Sequence, residues 1–133
     1  MQYLLDTNIC VFFFRNKFNI ADILRAKGLK NCCISEITMA ELRYGAANST
    51  NPQKHHLLLD TFLQHIAAIP ITESIRTYAE EKARLNKAGT PIHDEFDLLI
   101  GASALYYGLT LVTDNMKEFK YFSGIKIENW VKR

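Results

Sequence analysis

Four carboxylates in this chain of 133 residues stand where an acid is costly unless it has a task. Asp6 follows the apolar run Tyr3, Leu4 and Leu5 with no turn residue between, and Asp114 follows Leu109 to Val112 and Thr113 in the same way. Glu41 lies within a helical stretch; at about 100° per residue, Ile37, Ala40, Glu41 and Tyr44 share a face, so an acid sits in an apolar stripe. Asp97 shares a face with Ile100, Gly101 and Ala104 at the start of an apolar helix. Each acid has a plainer explanation taken alone. Asp6 could only cap the helix that follows it, and acids favour a helix's first turn through its dipole, which covers Asp94 and Glu95 better than Asp97. Together they point to a metal, because like charges in one pocket raise each other's proton affinity and stay ionised cheaply only around a cation. The ligand atoms are all oxygen, with no cysteine and no well-placed histidine, so Mg²⁺ or Mn²⁺ is expected and zinc is not. Such an ion lowers the pKa of a bound water, orients it toward phosphorus and stabilises the leaving oxygen. Phosphodiester hydrolysis is the reaction that follows.

The elements that must position these acids alternate between strands and helices. A first strand ends at Leu5, a short helix covers Ile9 to Phe14, and a second runs from Ile20 to Ala26, ended near Gly28. Asn31 to Ile34 read as a strand, and Ser35 is a good N-cap for a helix over Glu36 to Ala46. A polar loop from Gly45 to Gln53 carries Asn51 and Pro52 as cap and first-turn pair. His55, Leu58, Leu59, Phe62, Leu63 and Ile66 then mark an amphipathic face. His55 and His56 are adjacent, diverge on a helix and read as solvent-facing or packing residues, not ligands. Ala67 to Ile71 form a short strand at an edge, as Pro70 suggests, and a helix spans about Glu73 to Ala88 before Gly89. Thr90 to Ile92 are an extended approach to the helix of Leu98 to Tyr107, whose apolar surface on nearly every side indicates burial between layers. Leu109 to Val112 read as a central strand, Asn115 to Phe119 as a helical turn, and Ile125 and Ile127 as a last strand, with Trp130 closing the core. This order predicts an α/β fold of three layers, α/β/α, with a central, mostly parallel sheet and right-handed crossovers.

Composition sets the outer bounds. Apolar residues at 48% and charged residues at 23% describe one folded domain over residues 1–133. With 16 Lys plus Arg against 14 Asp plus Glu, the net charge of +2 argues only weakly for a polyanionic partner. Its distribution says more: Arg15, Lys17, Arg25, Lys27 and Lys30 oppose only Asp22, and Lys117, Lys120, Lys126, Lys132 and Arg133 dominate the tail. Basic flanks around an acidic centre suit a phosphate backbone held beside a metal, although solvated helix faces give such runs more often. Cys32 and Cys33 are adjacent and Cys10 stands alone, which fits buried free thiols in a reducing compartment. No leader pattern occurs, and no apolar stretch approaches the roughly 20 residues that span a bilayer. A cytoplasmic protein without membrane contact is expected.

Four stretches carry a resemblance to a known family. Leu-Leu-Asp-Thr-Asn at 4 to 8, Met-Ala-Glu-Leu-Arg-Tyr-Gly at 39 to 45, Asp-Leu-Leu-Ile-Gly-Ala-Ser-Ala at 97 to 104, and Leu-Val-Thr-Asp-Asn with Glu-Phe at 111 to 119 resemble the PIN-domain ribonucleases, and more narrowly the VapC-type toxins of bacterial toxin-antitoxin systems. Their order and spacing cover essentially the whole chain. The resemblance implies a metal-dependent endoribonuclease in which a metal-bound water attacks RNA and leaves a 5′-phosphate and a 3′-hydroxyl. It also implies a homodimer restrained by a VapB-type antitoxin, whose C-terminal segment lies over the acidic pocket, often presenting an Arg. Asp6, Glu41 and Asp97 fall on the family's acidic positions: Asp6 as a direct ligand, Asp97 as a direct or water-bridged one, and Glu41 as a ligand or the group that orients the water. Asp114 falls near the fourth position, where the family varies between Asp and Asn and where Asn115 competes. Thr7, Asn8 and Thr113 would bond the ligating carboxylates. The approach His93-Asp94-Glu95-Phe96 departs from the short Gly-Pro type of many relatives. Asp94 either assists with the metal or caps the helix, with capping preferred.

Two other readings remain on the sequence. A receiver-like phosphoacceptor module would also place an Asp after a strand beside Mg²⁺, but such modules usually have a pair of acids after the first strand and a Lys after the last central one, and here Asp6 stands alone with only Lys126 near the end. A PIN-like domain that binds RNA without cutting it is the third, and the full set of acids argues against it.

Overall fold

The computed structural model describes residues 1–133, and its strands are short, with the three inner ones buried and the two at the edges partly exposed. β1 (Tyr3–Leu5), β2 (Cys32–Ser35), β3 (Ala67–Ile69), β4 (Thr110–Val112) and β5 (Lys126–Glu128) form one sheet in the order β3-β2-β1-β4-β5. Every neighbouring pair is parallel, with Leu5 opposite Val112 and Leu4 opposite Cys33. Helices α1 (Thr7–Phe14), α2 (Ile20–Lys27), α3 (Glu36–Ala47), α4 (Pro52–Leu63), α5 (Ile75–Lys87), α6 (Glu95–Tyr107) and α7 (Met116–Phe119) fill the crossovers. This is the expected α/β/α arrangement, and the sheet is parallel throughout.

Alternation along the strands divides the core in two. Tyr3, Leu5, Cys32, Ile34 and Val112 face a cluster with Ile9, Leu24, Phe62 and Trp130, whereas Leu4, Cys33 and Leu111 face one with Leu85, Leu98, Ile100, Phe119 and Phe122. A strand buried on both faces must be apolar at every position, which is why these segments read as continuous runs. Cys10, Cys32 and Cys33 are buried and unbridged, and burial pushes the Cys33 thiol up to about 12. No helix is long and apolar enough to cross a membrane.

Several boundaries differ from the sequence reading. β2 begins one residue later, at Cys32, and Ser35 both ends that strand and caps α3 by accepting from the Ile37 N–H at 3.1 Å. The loop expected from Gly45 is shorter, since α3 continues to Ala47 and α4 already starts at Pro52, capped by Asn51. Pro70 has no N–H to give, so β3 stops at Ile69. A 3₁₀ turn over Thr72–Ser74 takes up what was expected as the first turn of α5. On α3 the buried positions are Thr38 and Ala46, with Met39 and Leu42 packed on the core, while Tyr44 is 70% exposed. The expected stripe thus faces the core only at Ile37, which packs on the other cluster, and turns outward at Ala40 and Tyr44; Glu41 lies half-buried, one turn from Thr38.

Helix α6 is buried as expected, through two small residues. A Cβ on Gly101 would come within 2.5 Å of the Phe122 ring, so only glycine lets the two approach. The Ser103 hydroxyl turns back to the Leu99 carbonyl at 3.0 Å and lies 3.2 Å from Ser74 Oγ. These contacts seat the first turn of α6, and with it Asp97, beside the ends of β1 and β4.

Candidate active site

The chain leaves β1 toward β2 on one side and returns to β4 on the other, so the C-terminal ends of β1 and β4 form the point where the strand order reverses. Open parallel sheets bind ligands at that point. A cleft of about 400 Å³ opens there, lined by Asp6, Thr7, Asn8, Val11, Phe12, Glu41, Asp94, Asp97 and Asn115. No Lys or Arg is among these residues.

Asp6 is 4% exposed and does two jobs. Its Oδ1 caps α1 by accepting from the Thr7 N–H at 2.8 Å, and its Oδ2 accepts from the Thr113 hydroxyl at 2.7 Å across the sheet. Asn8 Nδ2 stands 3.4 Å from the same Oδ2 and 3.5 Å from Thr113 Oγ1. Burial holds the Asp6 carboxyl above its ordinary value, and the bonds from Thr113 and Thr7 oppose the shift. Glu41 accepts from the Thr7 hydroxyl at 2.7 Å, and Thr7 Oγ1 in turn lies 3.0 Å from Thr38 Oγ1. Its carboxyl is raised as well, by burial first and then by Asp6 and Asp94. Asp97 is pushed up to about 7 by burial and by the negative charges of Asp6, Asp94, Glu118 and Glu41. A carboxylate this close to neutral pH reports several acids crowded without a cation of the protein's own.

The structure thus brings Asp6, Glu41 and Asp97 to one cleft, with Thr7, Asn8 and Thr113 bonded among them. Asp94 does cap α6, accepting from Phe96 N at 2.9 Å and Asp97 N at 3.3 Å, while also lining the cleft. Glu95 turns the other way, to the Lys82 ammonium and, at 2.5 Å, the Tyr78 hydroxyl of α5. Asp114 is not brought in. Its carboxylate is held in a two-pronged pair by Arg133, at 2.8 and 2.7 Å, with Asn129 Nδ2 at 3.2 Å, and Arg133 keeps its pKa below the ordinary value. The placement of Asp114 among the metal ligands therefore does not match this geometry, because a guanidinium already satisfies it. Asn115 lines the cleft in its stead. Sequence reasoning missed Thr38, Glu118 and Arg133. Thr38 lies three residues before Glu41, a helical spacing that could have flagged it, whereas nothing local marks Arg133 as the partner of an acid 19 residues earlier.

The donor set fits a hard divalent ion, since carboxylate and hydroxyl oxygens dominate and the acids repel one another. No three His, Cys, Asp or Glu side chains stand within joint ligating reach, so closing on an ion requires side-chain rotation. One apolar groove adjoins the cleft, and a second adjoins the first through Phe14 and Leu58. The first, of about 330 Å³, shares Thr7, Val11 and Glu41 with the cleft and continues past Phe14, Arg15, His55 and Leu58; the second, of about 440 Å³, lies between α1, α2 and α4.

A parallel α/β/α domain with acids gathered at its switch point defines the class. The chain belongs to the PIN domain family, whose model matches residues 3–123. Within that family it is of the VapC type. It is 35% identical to ribonuclease VapC2 of Rickettsia felis, covering 99% of this chain and 100% of that one, and 32% identical to the tRNA(fMet)-specific endonuclease VapC of Salmonella typhimurium, covering 98% of both. The crystal structure of VapBC2 from Rickettsia felis bound to a promoter DNA fragment superimposes with a TM-score of 0.89 at 35% identity, covering 98% of this chain and 99% of that one.

Proposed function

We propose that this protein is a Mg²⁺- or Mn²⁺-dependent endoribonuclease toxin of a toxin-antitoxin pair, cutting RNA by hydrolysis. The observation that carries the reading is the convergence of Asp6, Glu41 and Asp97, from three separate elements, on a cleft free of basic residues. Relatives named as ribonuclease and endonuclease over the full chain support it. Asp6, Asp97 and Glu41 would hold the ion, with Asn115 at the rim. A divalent cation there supplies the positive charge that makes water a nucleophile at neutral pH and offsets charge on the phosphate.

The protein's own groups do the rest. Thr113 and the Thr7 N–H hold Asp6 in one orientation, which lowers the cost of gathering charges there. Thr7 fixes the Glu41 carboxylate, leaving its second oxygen to accept a proton from water or to ligate. Asp97, poised near 7, is ready to ionise when positive charge enters. Phe12 and Val11 form the apolar wall against which a nucleotide can lie.

The partner in this reading is a VapB-type antitoxin. The neighbouring Rickettsia and Salmonella structures are VapBC complexes, and the groove beside the cleft and the one that continues it expose apolar walls that meet at Leu58, which is 45% exposed. An apolar helix followed by an extended segment would fill them and cover the acids. A homodimer completes the reading, and light scattering on the isolated chain tests it. The central experiment maps RNA ends after brief expression of the wild type and of Asp6→Asn. New 5′-phosphate ends in the first and none in the second are expected; equal ends in both, or none in either, would overturn the assignment.

A further inference from the structure

Asp114, drawn away from the cleft, is still wired to it. Its backbone N–H donates to Asn8 Oδ1 at 3.2 Å, and Asn8 Nδ2 reaches Asp6 Oδ2 and Thr113 Oγ1. Thr113 donates to Asp6, and the Asn115 N–H donates to Thr113 Oγ1 at 3.0 Å. The three residues after β4 thus supply one direct bond to Asp6, one clamp on Asn8 and one residue lining the cleft. From outside, the segment is held by the Glu128 carbonyl, which accepts from Thr113 N–H at 3.0 Å, by Asn129 Nδ2 at 3.2 Å from Asp114 Oδ1, and by Arg133, whose guanidinium takes both Asp114 oxygens and lies over the Phe18 ring at 5.3 Å. Phe18 stacks edge-on against Phe12 at 4.9 Å, and Phe12 is part of the cleft wall. Arg133 therefore touches both sides of the cleft's support without touching the cleft.

We propose that Arg133 and Asp114 form a latch that positions the 113–115 segment, and through Thr113 and Asn8 the carboxylate of Asp6, for metal binding. The inference rests on the metal-dependent reading above. Asp114 is an anchor in this scheme, and its charge serves to hold the segment to Arg133. An exposed ion pair alone contributes little, but here the Asp114 side chain is only 15% exposed and the fork is two-pronged, so geometry and not net stability is what the pair supplies.

The latch and a direct ligand role for Asp114 predict opposite signs at Arg133→Ala. Mn²⁺ binding to the full chain is measured by calorimetry for wild type, Arg133→Ala, Asp114→Ala and the double variant, with Trp130 fluorescence as the check on folding. A latch gives about threefold to tenfold weaker Mn²⁺ binding in each single variant and no loss in the double beyond that of Asp114→Ala, which removes the Arg133 fork together with the Asn129 bond. Arg133→Lys restores part of the affinity, because an ammonium keeps the charge and loses the fork. In RNA cleavage, kcat falls at limiting Mn²⁺ while KM for RNA holds. Tighter Mn²⁺ binding in Arg133→Ala would show that Arg133 withholds a ligand, and would overturn the latch. So would unchanged affinity, or a raised KM alone, which would make Arg133 an RNA contact. If wild type and Asp6→Asn alike bind no Mn²⁺, the metal reading itself fails and takes the latch with it.

Discussion

The exits of β1 and β4 look alike in sequence and behave in opposite ways. Leu-Leu-Asp and Leu-Val-Thr-Asp each end a buried parallel strand in an acid on the same edge of the sheet. Asp6 is buried, bonded only by hydroxyl, amide and backbone donors, and its proton affinity is raised. Asp114 meets a guanidinium and its proton affinity is lowered. Strand position alone therefore does not set an acid's surroundings; what differs is whether the protein already places a cation on it. The neutral donors around Asp6 orient the carboxylate and leave its charge for an incoming ion, while Arg133 consumes that of Asp114.

The contrast breaks most sharply at the uncompensated acids. Asp6→Asn and Asp97→Asn are expected to lower RNA cleavage by at least about a hundredfold while far-UV circular dichroism stays unchanged, in the range seen when ligands or metal-orienting groups are lost. A steady-state assay with Mg²⁺ checks this, and residual cleavage above a tenth of wild type in either variant would place the chemistry elsewhere. Chelation of divalent ions should produce the same loss in the wild type and be reversed by adding Mn²⁺. A smaller effect is expected at Thr113→Val, which keeps the shape and removes the 2.7 Å bond to Asp6. Roughly tenfold weaker Mn²⁺ binding is expected by analogy with other groups that orient ligands, and equal affinity would reduce Thr113 to a packing residue.

The sheet was legible because buried parallel strands must be apolar throughout, and the acids at 6, 41 and 97 because a charge beside such runs needs a reason. Asp94 was legible as a cap because its spacing to the first helical turn carries the information. Glu41 was placed on the right helix for a partly mistaken reason, since the stripe it was assigned to faces outward at Tyr44. At the fourth position the sequence left Asp114 and Asn115 in competition, and the partner that holds Asp114 was not legible. The fate of Asp114 depends on a partner beyond the last strand, and pattern within a strand–helix unit cannot reveal a contact made by chain folding back. The same holds for Glu95, which reads in the sequence as an acid favoured by the helix's first turn and whose partners on α5, Lys82 and Tyr78, no local pattern reveals.

The pH dependence of stability follows the same division. A carboxyl whose folded pKa is raised stabilises the protein fully below its unfolded value, and that contribution fades as pH climbs through the folded value. For Asp97 the window runs from about 3.8 to about 7, with Asp6 and Glu41 shifted in the same direction. Without added metal, the melting temperature should therefore fall between pH 5 and pH 8, and Asp97→Asn should be the more stable protein at pH 8. The gain is about 1 kcal/mol, with solvent screening of a partly exposed group allowed for, or on the order of 4 °C. A variant no more stable than wild type at pH 8 would mean that the acids do not repel as their spacing implies. Saturating Mg²⁺ should reverse the order, since only the wild type has the full set to bind it.

The smallest effect belongs to Glu95, two residues before Asp97 and compensated like Asp114. Its carboxylate faces Lys82 and Tyr78, so Glu95→Gln should change RNA cleavage by less than about twofold and leave the melting temperature almost unmoved, as for exposed ion pairs. Equal kcat/KM in a side-by-side assay would bear out the division between spent and unspent acids. A tenfold loss would show that Glu95 reaches the cleft after all, and that pairing with a cation in this fold does not remove an acid from the chemistry.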